Sequence, residues 1–334
     1  MKNSALFSKI YGCLLGGIIG DAMGAPGEGK TYEEIERTVG WVSDFTGAGT
    51  DDTIIKHILC EAIITNDGYV TADEFSAAFA NHRDKFRYFY TPVRNQVCLV
   101  DARLVLPVYA GMGGQQSSSS AMAIAPMGLI NACNPRQAAL ETYDVAGLIH
   151  GLLATACRDG ACAIAAAVAE AMSPDATVDT ILDASTRYLH PTSSAEMIGC
   201  IQTALALAQR EGEYNSFRRA FYAAHLYDAS PTVIADSRET VPCTLALFYL
   251  AEGNPRQAIV YAANFGRDAD TIAGMVGGIC GAFKGVEALG SDWVAKVTAA
   301  VPGQEELALK LMDVTMSKAR RAQAAHALLD RIAQ

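Results

Sequence analysis

Apolar residues recur along this chain at helical spacing rather than in alternation. Spacing, end signals and Ala/Leu content predict helices over 4–24, 52–65, 72–80, 136–156, 161–172, 195–210, 214–225, 241–251, 255–263, 271–287 and 304–332. Asn134-Pro135 and Asn254-Pro255 read as matched helix starts, with proline near the first helical position. No stretch alternates convincingly as a strand. The expected fold class is therefore all-α. A compact single domain over residues 1–334 is expected, because no Pro/Ser-rich linker divides the chain.

Within this pattern glycine falls in two stripes. Gly12, Gly16, Gly20 and Gly24 repeat every four residues, and Gly274, Gly278, Gly281 and Gly285 follow at helical spacing. A mid-helix glycine costs up to about 1 kcal/mol relative to alanine. Close backbone packing of the two helices is the compensation expected.

Two short polar segments interrupt the apolar pattern at helix starts, Thr50-Asp51-Asp52-Thr53 and Asp268-Ala269-Asp270-Thr271. Each follows a glycine-containing loop. A helix cap needs one short polar side chain, whereas each segment supplies two carboxylates and a hydroxyl. Crowded acids repel one another unless a cation joins them. Carboxylates and hydroxyls are hard oxygen donors, suited to one or two Mg²⁺ or Mn²⁺ ions. A metal-dependent enzyme is the reading these segments favour.

Composition narrows the partners. The 334 residues are 51% hydrophobic, enough for a large core, and the formal net charge of −10 argues against nucleic-acid binding. Nine cysteines, an odd number with no C-x-x-C spacing, argue against a disulfide framework and against zinc. A reducing cytoplasm is the expected location. The apolar run Ile10 to Gly20, preceded by Lys2 and Lys9, is too short to span a membrane and is read as part of the first helix rather than as a signal peptide; no membrane partner is expected. Residues 111–120, Gly-Met-Gly-Gly followed by two Gln and four Ser, read either as a solvated flexible loop or as a phosphate cradle.

Taken together, Gly20-Asp21-Ala22-Met23-Gly24 with Glu28, the Thr50-Asp51-Asp52-Thr53 segment, and Gly266-Arg267-Asp268-Ala269-Asp270-Thr271 followed by Gly277-Gly278 and Gly281 resemble the ADP-ribosylglycohydrolase family, in the family's order, from about residue 8 to about 293. The resemblance implies an orthogonal all-α bundle with a binuclear Mg²⁺ or Mn²⁺ centre. By motif the metal ligands would be Thr50, Asp51, Asp52, Asp268, Asp270 and Thr271. Asp268 or Asp270 would take a proton from water, and Glu28 would act as acid/base or gate. Asp21, Gly114, Ser117, Ser118, Ser119, Ser120, His150, Gly266 and Arg267 would form the substrate side, the serines standing at the loop that contacts a diphosphate. As a lone histidine in an apolar run, His150 reads equally as a core residue.

The resemblance further implies a substrate in which ADP-ribose is linked to a protein or small-molecule acceptor, with arginine-linked ADP-ribose on protein favoured. Hydrolysis of another ribosylated small molecule and non-catalytic ADP-ribose binding are the rivals. The chain departs from the family at Gly49, where an aromatic is frequent, at Ala123, where an arginine is frequent, and at Arg267, where a glycine is frequent; the phosphate loop is four serines. Oligomeric state is open. The charged segment Glu305 to Gln334, with Arg320, Arg321 and Arg331, is expected to dock on the domain or to carry a partner contact.

Overall fold

The computed structural model describes residues 4–224 and 235–333. Among these there are seventeen α-helices and no strand. They are α1 (Ala5–Gly24), α2 (Tyr32–Thr38), α3 (Asp51–Thr65), α4 (Ala72–Phe79), α5 (Thr91–Asp101), α6 (Pro107–Ala110), α7 (Ala125–Ile130), α8 (Pro135–Val145) and α9 (Thr155–Ala171). The chain continues through α10 (Val178–Arg187), α11 (Ala195–Glu211), α12 (Tyr214–Ala223), α13 (Ser237–Leu250), α14 (Pro255–Ala263), α15 (Ala269–Lys284), α16 (Ser291–Ala300) and α17 (Gln304–Ile332).

At the centre α1 and α15 run antiparallel with their backbones almost touching. A Cβ built on Gly16 would lie 2.2 Å from the Gly277 carbonyl oxygen, and one on Gly20 would lie 1.9 Å from that of Ala273. Gly12 meets Gly281 and Gly24 meets Ala269 in the same register. No larger side chain fits on the α1 side of this seam, which accounts for glycines that local helix propensity disfavours. On α15 the contact positions are Ala269, Ala273, Gly277 and Gly281. The expected stripe is therefore only partly correct: Gly278 makes an ordinary contact with Cys13, and Gly285, at φ +82, ends the helix. The antiparallel seam carries Asp21, near the C-terminal end of α1, to the N-terminal end of α15.

Most boundaries follow the apolar period, and α17 spans the expected 304–332. The expected helix over 136–156 is broken. Residues 146–154 form tight turns there, because Gly151 closes directly on Gly111. Helix α13 starts four residues early, at Ser237, where the Asp236 side chain caps the Arg238 amide, and it tolerates Pro242 inside. The expected helix 214–225 ends at Ala223, and its last expected residue lies outside the described residues. Helices α2, α5, α6, α7, α10 and α16 were not expected. They are short, and several rest on caps rather than on a long apolar stripe: Thr31 and Thr177 both form capping boxes.

All nine cysteines are free, six of them buried. Helices α1 and α9 are each part of a segment long and apolar enough to cross a membrane, but 78% of each apolar window is buried inside the molecule. The run Ile10 to Gly20 is thus core.

Candidate active site

The site is built from Asp21 outward. Its carboxylate is fully buried and accepts hydrogen bonds from the Thr50 amide at 2.9 Å, the Thr53 amide at 3.0 Å and the Thr53 hydroxyl at 2.5 Å. These bonds bind the end of α1 to the start of α3. Thr50 caps α3, its hydroxyl accepting from the Asp52 amide. Asp21 thereby orients the first acidic segment. Gly49, at φ +85, packs directly on Asp21, and a Cβ there would sit 2.4 Å from its carboxylate oxygen. The departure from an aromatic at this position therefore has a local reason.

The second acidic segment meets the first across the seam. The Thr271 hydroxyl donates to Asp52 Oδ2 at 2.9 Å, joining residues 219 positions apart. Asp268 stands at the N-cap position of α15 and accepts from the Ser118 hydroxyl at 2.8 Å. Asp51 accepts from the Tyr90 amide at 2.8 Å. Carboxylate oxygens of Glu28, Asp268 and Asp270 lie within 4.8 Å of one another. Asp52, Asp268, Asp270 and Thr271 are buried, Asp51 is half-buried, and Glu28 and Tyr90 are exposed at the mouth.

Burial and mutual repulsion act together on these acids. Burial pushes Asp52 and Asp270 well above the ordinary carboxylate range, with their acidic neighbours adding to the shift. Asp268 is pushed up to about 7, chiefly by burial, against the opposing Ser118 hydrogen bond. Glu28 is raised by burial and by Asp51 and Asp21. Asp270 Oδ1 is buried with no hydrogen-bond donor among the described residues. An orphaned carboxylate oxygen among four other acids is costly in a protein interior. A hard divalent cation would satisfy it, so the donor set fits such an ion.

The serine segment is not the solvated loop that its composition suggests. Ser117, Ser118, Ser119 and Ser120 are all buried. The Ser117 and Ser120 hydroxyls bond the two ring nitrogens of His150, at 2.9 and 2.7 Å, and Ser117 also donates to Ser119. The Ser117 carbonyl accepts from Ser237. Ser118 alone turns to the acids. His150 is fully buried, and burial pulls its pKa down to about 3, so the ring is neutral. Gly114 packs against the Ile149 carbonyl.

Arg267 points inward. It is buried at φ +59 and makes a two-pronged pair with Glu239, at 2.7 and 2.8 Å. Its backbone bonds Gly29 and Lys30 in both directions, fixing the segment that carries Glu28. Gly266 allows the close approach of Lys30 and Tyr222.

Three residues escaped the sequence reading. Tyr90 touches Asp51 through its amide, and its phenol is raised by burial and by Asp268 and Glu28. Glu239 anchors Arg267. Lys56 is buried near Asp21, its ammonium without a hydrogen-bond partner among the described residues. Only Lys56 left a signal, as a cation on the apolar face of α3 one turn after Asp52.

The sequence matches the profile described as ADP-ribosylglycohydrolase over residues 2–321. It is 27% identical over 307 residues to the uncharacterized protein YegU of Escherichia coli (strain K12), across 84% of this chain and 89% of that one. An uncharacterized protein of Archaeoglobus fulgidus is 26% identical over 326 residues, across 92% of this chain and 97% of its own. A solved structure named ADP-ribosylglycohydrolase-related protein complex shares the fold, with a TM-score of 0.69 at 21% identity over 93% of this chain and 99% of that chain.

Proposed function

The chain belongs to the ADP-ribosylglycohydrolase family, and from that premise we propose that it hydrolyses the glycosidic bond joining ADP-ribose to an acceptor, with arginine on a protein the favoured linkage. The observation that carries this reading is the orphaned Asp270 Oδ1 in a pit lined by Glu28 and Asp268.

In this reading Thr50, Asp51, Asp52, Asp268, Asp270 and Thr271 hold two Mg²⁺ or Mn²⁺ ions. Such ions, when bound, polarise a water and hold ribose hydroxyls. The chain's own groups do the remaining work. Asp21 fixes the α3 start, so Asp51 and Asp52 face the α15 start without rearrangement. Asp268, steadied by Ser118, accepts the proton that water loses as its oxygen joins the ribose carbon. The leaving nitrogen or oxygen takes a proton as its bond to that carbon breaks, and Glu28 at the rim is placed to supply it. Tyr90 holds Asp51 in place through its backbone amide.

One observation favours a second reading, a smaller ribosylated substrate. Ser117 and Ser120 spend their hydroxyls on His150, leaving Ser118 facing the acids. Hydrolysis of arginine-linked and serine-linked ADP-ribose, with Mg²⁺ or Mn²⁺ and with or without chelator, tests the proposal. Metal-dependent release of ADP-ribose supports it. Release that survives thorough metal removal sinks the metal scheme, and no release from either linkage, with metal bound, moves the substrate to another riboside.

A further inference from the structure

The chain between Tyr90 and Ser118, together with Leu152 and Leu153, exposes large apolar groups that the chemistry above does not use. Leu104, Leu106, Leu152 and Leu153 are 74%, 64%, 67% and 77% exposed, and Tyr109 and Met112 are about half exposed. Tyr109, Met112, Leu152 and Leu153 stand on elements that pack together, and Leu104 and Leu106 lead directly into the first of these. Helix α6 packs on the turn at residues 146–148, and the turn at 111–113 packs on that at 152–154. Solvent exposure of so many large apolar groups together marks an interaction surface rather than ordinary scatter.

The chain that carries most of this face is tied to the pit at both ends. It leaves the site at Tyr90, bonded to Asp51, and returns at Ser118, bonded to Asp268. A group held in the pit and linked to something larger would present that larger part here.

Charge says what fits. The chain as a whole is at −10, yet residues 81–116 carry Arg83, Lys85, Arg87, Arg94 and Arg103 against only Asp84 and Asp101. Arg83 is neutralised by Asp101. Arg94 and Arg103 have no acidic partner among the described residues. Arg103 also borders a groove of about 270 Å³ that Phe79, Phe86, Val97 and Val100 line together with Asp73, Asp101 and Arg83, the last two paired with each other. Such a groove takes an apolar side chain, and the guanidinium at its edge takes a neighbouring carboxylate.

We propose that this face docks the acceptor, and that the acceptor is a polypeptide segment combining acidic and large apolar residues. The proposal rests on the reading that ADP-ribose occupies the pit. Four arginines and three tyrosines stand in the stretch, with Lys85 its single lysine. That composition is typical of protein interfaces and favours a protein over an anionic membrane.

The test uses the full chain and three substrates: free ADP-ribosyl-arginine, an ADP-ribosyl-arginine peptide flanked by Glu and Leu, and the same peptide flanked by Lys and Ser. For the wild type, KM for the Glu/Leu peptide is expected about tenfold below that for the Lys/Ser peptide. The combined Leu104→Ser, Leu106→Ser and Leu153→Ser variant is expected to lose that preference and keep its kcat/KM on free ADP-ribosyl-arginine. Arg103→Glu alone is expected to turn the charge preference toward the Lys/Ser peptide, a result that misfolding does not produce. Fluorescence anisotropy of the unmodified Glu/Leu peptide gives the same ranking without turnover. If the wild type leaves free ADP-ribosyl-arginine intact, the activity reading fails, and the anisotropy ranking still decides the docking claim. Equal affinity for both peptides overturns the proposal. So does binding to phosphatidylserine vesicles, or a dimer in ultracentrifugation, that the triple variant abolishes while peptide preference is absent.

Discussion

Asp270 has one buried carboxylate oxygen without a donor, so without metal its charge is a pure cost to the fold. Asp270→Asn is therefore expected to raise the melting temperature in chelator by a few degrees, about 2–4 °C per kcal/mol relieved. The same change should abolish the Mg²⁺-induced rise expected of the wild type and lower hydrolysis by about a thousandfold or more. Thermal melts with and without Mg²⁺ check the first two, and a variant that still gains stability from Mg²⁺ would remove Asp270 from the ligand set. His57 supplies a second residue-level prediction. Burial pulls its pKa down to about 4, although its Gln304 hydrogen bond opposes the shift. The folded state thus keeps His57 neutral, while the unfolded chain protonates below about 6.5. Stability from this group is complete above that value and is lost as pH falls toward 4. Relative to His57→Gln, the wild type should lose about 2 kcal/mol between pH 7 and pH 5 in urea unfolding. The two acidic segments were legible because two carboxylates and a hydroxyl exceed what a cap requires. Tyr90 was not, since it acts through a backbone amide that every residue but proline possesses. Nor was Glu239, whose meaning depends on Arg267, 28 positions away.

Helix α1 shows why the elements were easier to read than their partners. Its glycines announce a close neighbour, but periodicity alone cannot say that Gly16 faces Gly277 rather than Gly278; that follows from where the antiparallel crossing falls. The broken stretch at 146–154 failed for the same reason, because its turns answer to Gly111 in a distant loop. Two alanine substitutions separate local propensity from packing. Gly199 lies exposed within α11, with nothing within 4 Å of a Cβ. Gly199→Ala should stabilise by about 0.4–1 kcal/mol. Gly16→Ala gains the same propensity but drives its methyl to 2.2 Å from the Gly277 carbonyl oxygen. It should destabilise by about 1–3 kcal/mol. Because the seam also aims Asp21 at α3, this variant should weaken Mg²⁺ binding as well, which titration calorimetry would read. Equal stabilisation by the two alanines in urea would mean that the seam is looser than described.

At the scale of the molecule, α1 is common ground. Phe7, Ile10, Cys13 and Leu14 join the larger apolar cluster, while Leu15, Ile18 and Ile19 join a smaller one with Ile35, Phe45 and Trp293. Neither cluster can lose α1 and remain packed. We therefore propose that the chain folds as one domain, and calorimetry is expected to show a single unfolding transition. The acidic segments give that cooperativity a second source. Asp51 and Asp52 stand on α3, Asp268 and Asp270 at the start of α15, and their repulsion opposes the contact that the seam and the Asp52–Thr271 hydrogen bond enforce. A divalent ion bound by both segments reverses the sign of that interaction. At a hundred times its dissociation constant, Mg²⁺ should add about 2.7 kcal/mol to the folded state. It should move the whole transition upward, since the two segments belong to the same cooperative unit. Asp52→Asn should keep the single transition and lose most of the shift. A calorimetric trace in which Mg²⁺ splits one peak into two would instead place the segments in units that unfold separately.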